Sequence, residues 1–442
     1  MGLNGFDSTA INPALPSIAI EFGINSGDLG AIEWGFLAAS AVILPLAPYL
    51  GNKYGVARVF SICLLNFSIG LALAAFSPHY LVLVLGRIMQ GLASGALIPL
   101  GLALLYGGVT GQQRLRISQI LLIPLTLAPM AGPIVGGVIA EAWGWRTIFW
   151  IMLPFGIITA IVSYFVMPNG MESRENDHQE PQVIAPKCLA LASFACLGLS
   201  ISGPIITTGL SGEFRLYLVF LAIGSAAGGL LAIRGIQKVG KSDLLVNNFG
   251  TWCIRSYRIN SYMNSGFTGI VAAFLFVVPI TLADAGYNAK HIGIIMFPET
   301  LGLLLGGQLV TLLTKKISAR TLILGTAMLG ICSTYSIIVA PVRTNILISA
   351  VAMAFFGILM SQAVLITQAA AFGEISEQAM AGSTAGQIML RNITSAWMVA
   401  IFALLLQLLE PYWVWFALGS IWAGFAAMAW CLTKQQWAEL LA

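Results

Sequence analysis

Charge is what this chain has least of. Asp, Glu, Lys and Arg make up 9% of its 442 residues, against roughly 25% in a soluble domain. So few charges cannot cover a water-facing surface of that size, which excludes an ordinary soluble protein. Histidine is scarce as well: His79, His178 and His291 fall in loops, far apart in sequence. The HExxH, GxSxG, phosphate-loop and dinucleotide fingerprints are all missing. An enzyme is therefore not expected, and neither is a cofactor or a metal. Cys63, Cys188, Cys196, Cys253, Cys332 and Cys431 show no CxxC spacing and read as small apolar packing residues. The glycine-rich stretch from Gly224 to Gly229 sits inside an apolar span, where helix packing explains it better than phosphate binding. No basic leader precedes an apolar core, so no cleavable signal peptide is read.

What remains is apolar. Hydrophobic residues are 58% of the chain and the mean hydropathy is +0.89. A membrane-crossing helix needs roughly 20 mostly apolar residues, and such windows recur from one end to the other. Fourteen spans are expected, at roughly 5–22, 30–50, 59–76, 80–106, 117–140, 147–167, 188–209, 215–235, 259–283, 291–313, 319–341, 345–372, 383–408 and 411–433. Breaks are expected where turn formers and charges cluster, at Gly51 to Gly55 and Thr110 to Arg114. The fold class is an all-α polytopic membrane protein.

Charge placement orients it. With the N-terminus inside, fifteen Lys and Arg fall in inner loops and four in outer ones, while Arg87 and Arg391 lie within spans. That bias follows the positive-inside rule and places both termini in the cytoplasm. The net charge of +4 reflects it and does not point to nucleic acid. Polar stretches divide the chain into a six-span bundle (1–168), a linker (169–187), a helix pair (188–236), a second linker (237–258) and a second six-span bundle (259–442).

Arg87 stands out on cost alone. A charge at mid-membrane costs roughly 2.5–3.5 kcal/mol on insertion scales, so it is usually paired, cavity-facing and functional. Its nearest partner is Asp7; the structural alternative is an arginine satisfying carbonyls between helices. Glu33 lies near the outer boundary, where an interfacial, snorkelling acid is expected. Glu299, deeper and next to Pro298, is expected to face a cavity, or else to be hydrogen-bonded between helices. In the fifth span Ala128, Gly132, Gly136 and Ala140 recur every four residues, a smooth face for close helix approach. Pro133 removes an internal hydrogen bond there.

Several segments together resemble a known family. They are Phe6-Asp7-Ser8-Thr9-Ala10-Ile11-Asn12-Pro13-Ala14-Leu15-Pro16, Leu85-Gly86-Arg87-Ile88-Met89-Gln90-Gly91, Ala131-Gly132-Pro133-Ile134-Val135-Gly136-Gly137 and Trp143-Gly144-Trp145-Arg146-Thr147-Ile148-Phe149. Gly286-Tyr287, Pro298, Gly306 and Arg391-Asn392 add to them in the second half. In this order they resemble the major facilitator superfamily, specifically its fourteen-span drug:proton antiporter branch (EmrB/QacA-like). The resemblance implies the major facilitator fold, two six-helix bundles plus two inserted central helices, with substrate held between them. It implies proton-driven export of amphipathic small molecules, with Asp7 and Arg87 as the coupling pair. It makes Gly132, Pro133, Gly136 and Gly137 an antiporter motif. The substrate-cavity candidates are Glu33, Gln90, Glu299 and Arg391; the family has apolar residues at Glu33 and Glu299, so those two are this chain's own and are not carried over from it.

The match frays between spans 2 and 3. Where the family has G-x-L-A-D-R-x-G-R-R, this chain has Pro48-Tyr49-Leu50-Gly51-Asn52-Lys53-Tyr54-Gly55-Val56-Ala57-Arg58. Asn52 replaces the usual acid, so a gating network on Asn52, Lys53, Gly55 and Arg58 is expected to be tuned differently. Only six residues precede Asp7, so the first helix is short or the start lies upstream. Expected partners are the lipid bilayer, a small-molecule substrate, protons and a periplasmic adaptor protein, in the bacterial cytoplasmic membrane. Two other readings stay open: uptake of a metabolite by the same fold, and a non-transporting relative.

Overall fold

A computed structural model describes residues 2–44, 46–106, 111–166, 251–313, 317, 321–322, 324–326, 328–330, 345–375, 377–409 and 413–421. The expected helix pair 188–236, the linker 169–187 and most of the spans at 319–341 and 411–433 lie outside those residues. So does the total of fourteen spans. Seven of the described helices are long and apolar enough to cross a membrane, and no strand occurs among the described residues.

Proline and glycine set where the early helices stop. The first expected span is not one helix. It is α1 (Gly2–Ala10), a 3-10 turn (Asn12–Ala14) and α2 (Leu15–Phe22). Pro13 and Pro16 each lack a backbone N–H, which forfeits the bonds that would run the helix through. The second expected span divides too, into α3 (Gly30–Ile43) and α4 (Leu46–Tyr54). Residues 51–54, expected to form a break, are the last turn of α4. The chain turns only at Gly55, whose φ of 89° belongs to a region that side chains avoid. Then come α5 (Val56–Ala75), α6 (Tyr80–Tyr106), α7 (Gly111–Trp143) and α8 (Arg146–Val166), followed by α9 (Arg255–Asp284), α10 (Ala289–Leu313), α11 (Ile346–Phe372) and α12 (Glu377–Leu408).

Apolar stripes decide what each helix buries. On α5, Phe67, Leu71 and Ala74 are buried while Ile62, Leu65 and Ile69 face outward. On α8, Phe149, Met152 and Ala160 are buried while Phe155, Ile158, Val162 and Phe165 are exposed. An apolar outer face at helical spacing suits lipid, which accepts such side chains without cost. α5 packs on α6 and α8, α3 on α6, and α1 on α7; α9 packs on α11 and α12, and α10 on α11. Phe274 of α9 and Phe356 of α11 stack with ring centroids 3.6 Å apart.

The early set (α1–α8) joins the late set (α9–α12) chiefly where α7 meets α10 and α3 meets α12, with smaller contacts from α2 and the 3-10 turn. Their closest approaches gather toward the end of the helices that holds Phe22, Gly30, Trp143 and Asp284. A Cβ on Gly137 would strike the backbone of Ala289 and Gly293, and one on Gly293 would strike the Pro133 carbonyl. Asn288 Nδ2 donates to Glu141 Oε1 at 3.1 Å, and Gln407 Nε2 donates to Asp28 Oδ1 at 3.4 Å. At the opposite end, α1 packs on α7 and α4 packs on α5 and α6, all within the early set.

The Trp143–Phe149 motif seals the Phe22 end of the early set. Gly144, with a φ of 83°, makes the turn that ends α7 and starts α8. Arg146 pairs with Glu21, donates to the Ser77 carbonyl at 2.7 Å and lies over the rings of Phe22 and Trp145. Trp145 Nε1 donates to the other oxygen of Glu21 at 2.6 Å.

Candidate functional site

Glycine brings the charged side chains together. On α6, a Cβ at Gly91 would collide with the Phe36 carbonyl of α3, and one at Gly95 with the Ser40 carbonyl. With neither Cβ present, α3 lies directly on α6 and carries Glu33 and Phe36 to Arg87. On α7, Gly132 and Gly136 face Thr9 and Ala10 of α1 just as closely. That contact brings α1, and Asp7 with it, against α7. The small-residue face of the fifth span thus serves α1, while Gly137 beside it serves α10.

The centre so formed is buried. Arg87 is fully buried and Asp7 is 1% exposed. Arg87 Nη1 donates to Asp7 Oδ2 at 2.7 Å and to Gln90 Oε1 at 2.8 Å, and Nε donates to the Ile32 carbonyl at 3.4 Å. The guanidinium lies over the Phe36 ring, 4.7 Å from its centroid. Charge-assisted bonds of this kind are the strong ones. Glu33 corrects an expectation: it does not snorkel to the boundary but points inward, with Oε1 3.9 Å from Arg87 Nη2. Asp7 Oδ1, Glu33 Oε1, Arg87 Nη2 and Gln90 Nε2 have no hydrogen-bond partner among the described residues.

The late set holds its charges differently. Glu299 of α10 is fully buried, and neither carboxyl oxygen has a hydrogen-bond partner among the described residues. The expected alternative of a hydrogen-bonded acid between helices is therefore not what is seen. Gly302 and Gly306 lay α10 on the Ala354 and Ile358 carbonyls of α11, and Gly357 of α11 lies on the backbone of Glu299 itself. Arg391 of α12 is half-buried and has no ion-pair partner among the described residues. Its neighbour Asn392 donates to Ser40 Oγ of α3 at 3.2 Å, a bond between the two sets.

One feature went unread in the sequence. α9 carries Ser256, Asn260, Ser261, Asn264 and Ser265, all buried. Asn264 Nδ2 donates to the Val364 carbonyl at 2.8 Å, but Asn260 Oδ1, Ser261 Oγ, Ser265 Oγ and, on α12, Gln387 Nε2 have no hydrogen-bond partner among the described residues. The run of Ser and Asn at helical spacing inside an apolar span was the available signal.

At the Tyr54 end, the side chain of Asn52 lies outside the described residues. Lys53 is exposed with Nζ 5.0 Å from the Tyr54 ring centroid and 5.8 Å from that of Tyr49. The Tyr54 hydroxyl, with help from Tyr49, holds the Lys53 ammonium above the ordinary lysine value. Arg58 is exposed on α5. Among the described residues, no three His, Cys, Asp or Glu side chains gather to hold a metal.

Comparison with known proteins gives a consistent picture. The family described as Major Facilitator Superfamily matches residues 1–396. Among curated proteins, one named "Putative multidrug resistance protein MdtD" from Citrobacter koseri is 26% identical over 331 residues, covering 74% of this chain and 67% of that one. Its namesake from Salmonella typhi is 26% identical over 338 residues, with the same shares covered. Among solved structures, the POT family transporter PepTSo superposes with a TM-score of 0.69 at 12% identity, over 99% of this chain and 95% of that one. The nucleoside transporter NupG gives 0.63 at 12% identity, over 98% of each chain. At such identities the structures speak for the fold alone.

Proposed function

The chain belongs to the major facilitator superfamily, and from that premise we propose that it exports amphipathic small molecules in exchange for protons. The observation that carries this reading is the buried Asp7–Arg87 pair at 2.7 Å. A carboxylate and a guanidinium held together away from water form a centre whose charge one proton changes. The MdtD relatives favour export of drugs as the direction and cargo. In this reading the chain is of the fourteen-span EmrB/QacA-like branch, with both termini in the cytoplasm and two six-helix bundles flanking the pair at 188–236.

Substrate binds between the two sets, where Glu299 and Arg391 supply charges not already engaged and Gln90 flanks the coupling centre. Contacts joining the sets toward the Phe22 end, outer in this orientation, support alternating access with that end closed. Gly132, Pro133, Gly136 and Gly137 let α7 lie on α1 and α10 at once, so one helix links the coupling centre to the closing contact.

The deciding experiment uses proteoliposomes loaded with ethidium, a cationic dye, under an imposed pH gradient. Antiport predicts dye movement against its own gradient that stops when the pH gradient is collapsed. Asp7→Asn should abolish that dependence while dye binding in detergent survives, because Asn keeps the shape and still hydrogen-bonds Arg87. Dye movement with the proton flow would favour uptake instead, and no movement at all would favour a non-transporting relative.

A further inference from the structure

Three charged groups meet at the coupling centre, and two of them are acids. Asp7, Glu33 and Arg87 together carry one negative charge too many for their buried surroundings, unless one acid holds a proton. We infer that Glu33 is the residue on which the transported proton rides, while Asp7 stays ionised to hold Arg87 in place. This inference rests on the proton-coupled reading above.

Hydrogen bonding separates the two acids. Arg87 Nη1 donates to Asp7 at 2.7 Å, contact distance for an ion pair. Glu33 Oε1 stands 3.9 Å from Nη2, beyond hydrogen-bond reach, although neither atom is engaged elsewhere. A carboxylate would close on an unused guanidinium donor facing it; a neutral carboxyl has far less reason to. Access separates them as well. The Glu33 side chain is 13% exposed and that of Asp7 1%, so Glu33 is the more accessible of the two. Phe36 covers one face of the guanidinium, and Gln90 Oε1 takes its remaining bond on the Asp7 side.

No other charge competes for Glu33 among the described residues. From α6 it faces Arg87, and Asp7 reaches the same guanidinium from α1. α12 also packs on α3, but its Arg391 adjoins Asn392, which bonds Ser40. Ser40 lies seven residues from Glu33, about 10 Å along the helix. Asp28, ahead of α3, is engaged by Tyr80 and Gln407.

The step balances simply. The Glu33 O–H bond breaks, the proton passes to water, and the centre gains one negative charge facing Nη2. An arriving cation replaces that positive charge, which links substrate binding to proton release. Reprotonation of Glu33 expels the cation.

Dicyclohexylcarbodiimide adds to protonated carboxyl groups in apolar surroundings, so it maps where the proton sits. Applied to the full-length protein in detergent and followed by peptide mass mapping, it should label Glu33, and ethidium should protect that site. A label on Asp7 with Glu33 unmodified, or no label on Glu33 at all, overturns the inference. In proteoliposomes, Glu33→Gln should lose all response of ethidium movement to the pH gradient. Its yield and unfolding temperature in detergent should match those of the wild type, which reports that the variant is folded. Glu33→Asp should restore the response. An undiminished response in Glu33→Gln overturns the inference and leaves antiport standing. A wild-type protein indifferent to the gradient overturns both readings, whereas labelling on Asp7 beside a normal gradient response sinks only this one.

Discussion

The two sets of helices bury charge by opposite means. In the early set, Arg87 bonds Asp7, Gln90 and the Ile32 carbonyl and has Glu33 within ion-pair distance, so much of the cost of removing a guanidinium from water is met on the spot. In the late set, among the described residues, Glu299 sits fully buried with both oxygens idle, and Arg391 stands half-buried without an ion-pair partner. A paired centre is a device that changes state internally. An unpaired one is incomplete until something arrives, and that is the property wanted of a binding surface. In the function proposed above, coupling belongs to the early set and the unpaired charges of the late set serve substrate recognition.

Five substitutions would break or sharpen that contrast. Arg87→Ala should do the most damage, because it leaves two acids facing each other without a cation. A loss of about 3–5 kcal/mol is expected for breaking a buried pair, read as collapsed yield and a lower unfolding temperature in detergent. Glu299→Leu should do the reverse. Removing an unsatisfied buried group should stabilise the protein by about 1–3 kcal/mol, while export of cationic dyes is lost. Glu299→Gln should keep abundance unchanged and weaken cationic substrates selectively; equal loss for neutral ones would make Glu299 a packing residue. Asn392→Ala removes a single neutral hydrogen bond between the sets, worth about 1 kcal/mol. It should appear as a small drop in unfolding temperature with transport retained. Arg391→Met should be smallest in stability, within about 0.5 kcal/mol as for sites away from paired networks. A large loss of stability there would reveal a partner and dissolve the contrast.

Much of the fold was legible because a lipid environment leaves few options. The expected span 80–106 coincides with α6, and spans 147–167, 291–313 and 345–372 differ from α8, α10 and α11 by one or two residues at their starts. Length and apolarity suffice for such helices. They do not suffice where proline intervenes: Pro13 and Pro16 split the first span, a local effect that a hydropathy window averages away. Arg87 and Asp7 were legible from cost and from the resemblance. Glu33 was not, because depth along a helix says nothing about reach. Glu33 lies three residues into α3 and Arg87 seven into α6, a level difference of about 6 Å. Two long side chains bridge that gap only because Gly91 and Gly95 let the helices touch. The polar row on α9 was missed for another reason. Ser and Asn scarcely lower a window's apolarity, yet their unpaired atoms matter once buried.

The contact between Gly137 and Gly293 bears on how this protein can change over generations. Each glycine leaves room that the other's helix occupies, and the obstruction on both sides is main chain, which cannot move aside as a rotamer does. A first mutation to any larger residue at either site is therefore penalised whatever stands at the other, and a second cannot repair it by making space. The pair forms a dead end for gradual substitution. Variation in the late set should accumulate around Glu299 and Arg391, where altered cargo could be rewarded, while this crossing point stays as it is.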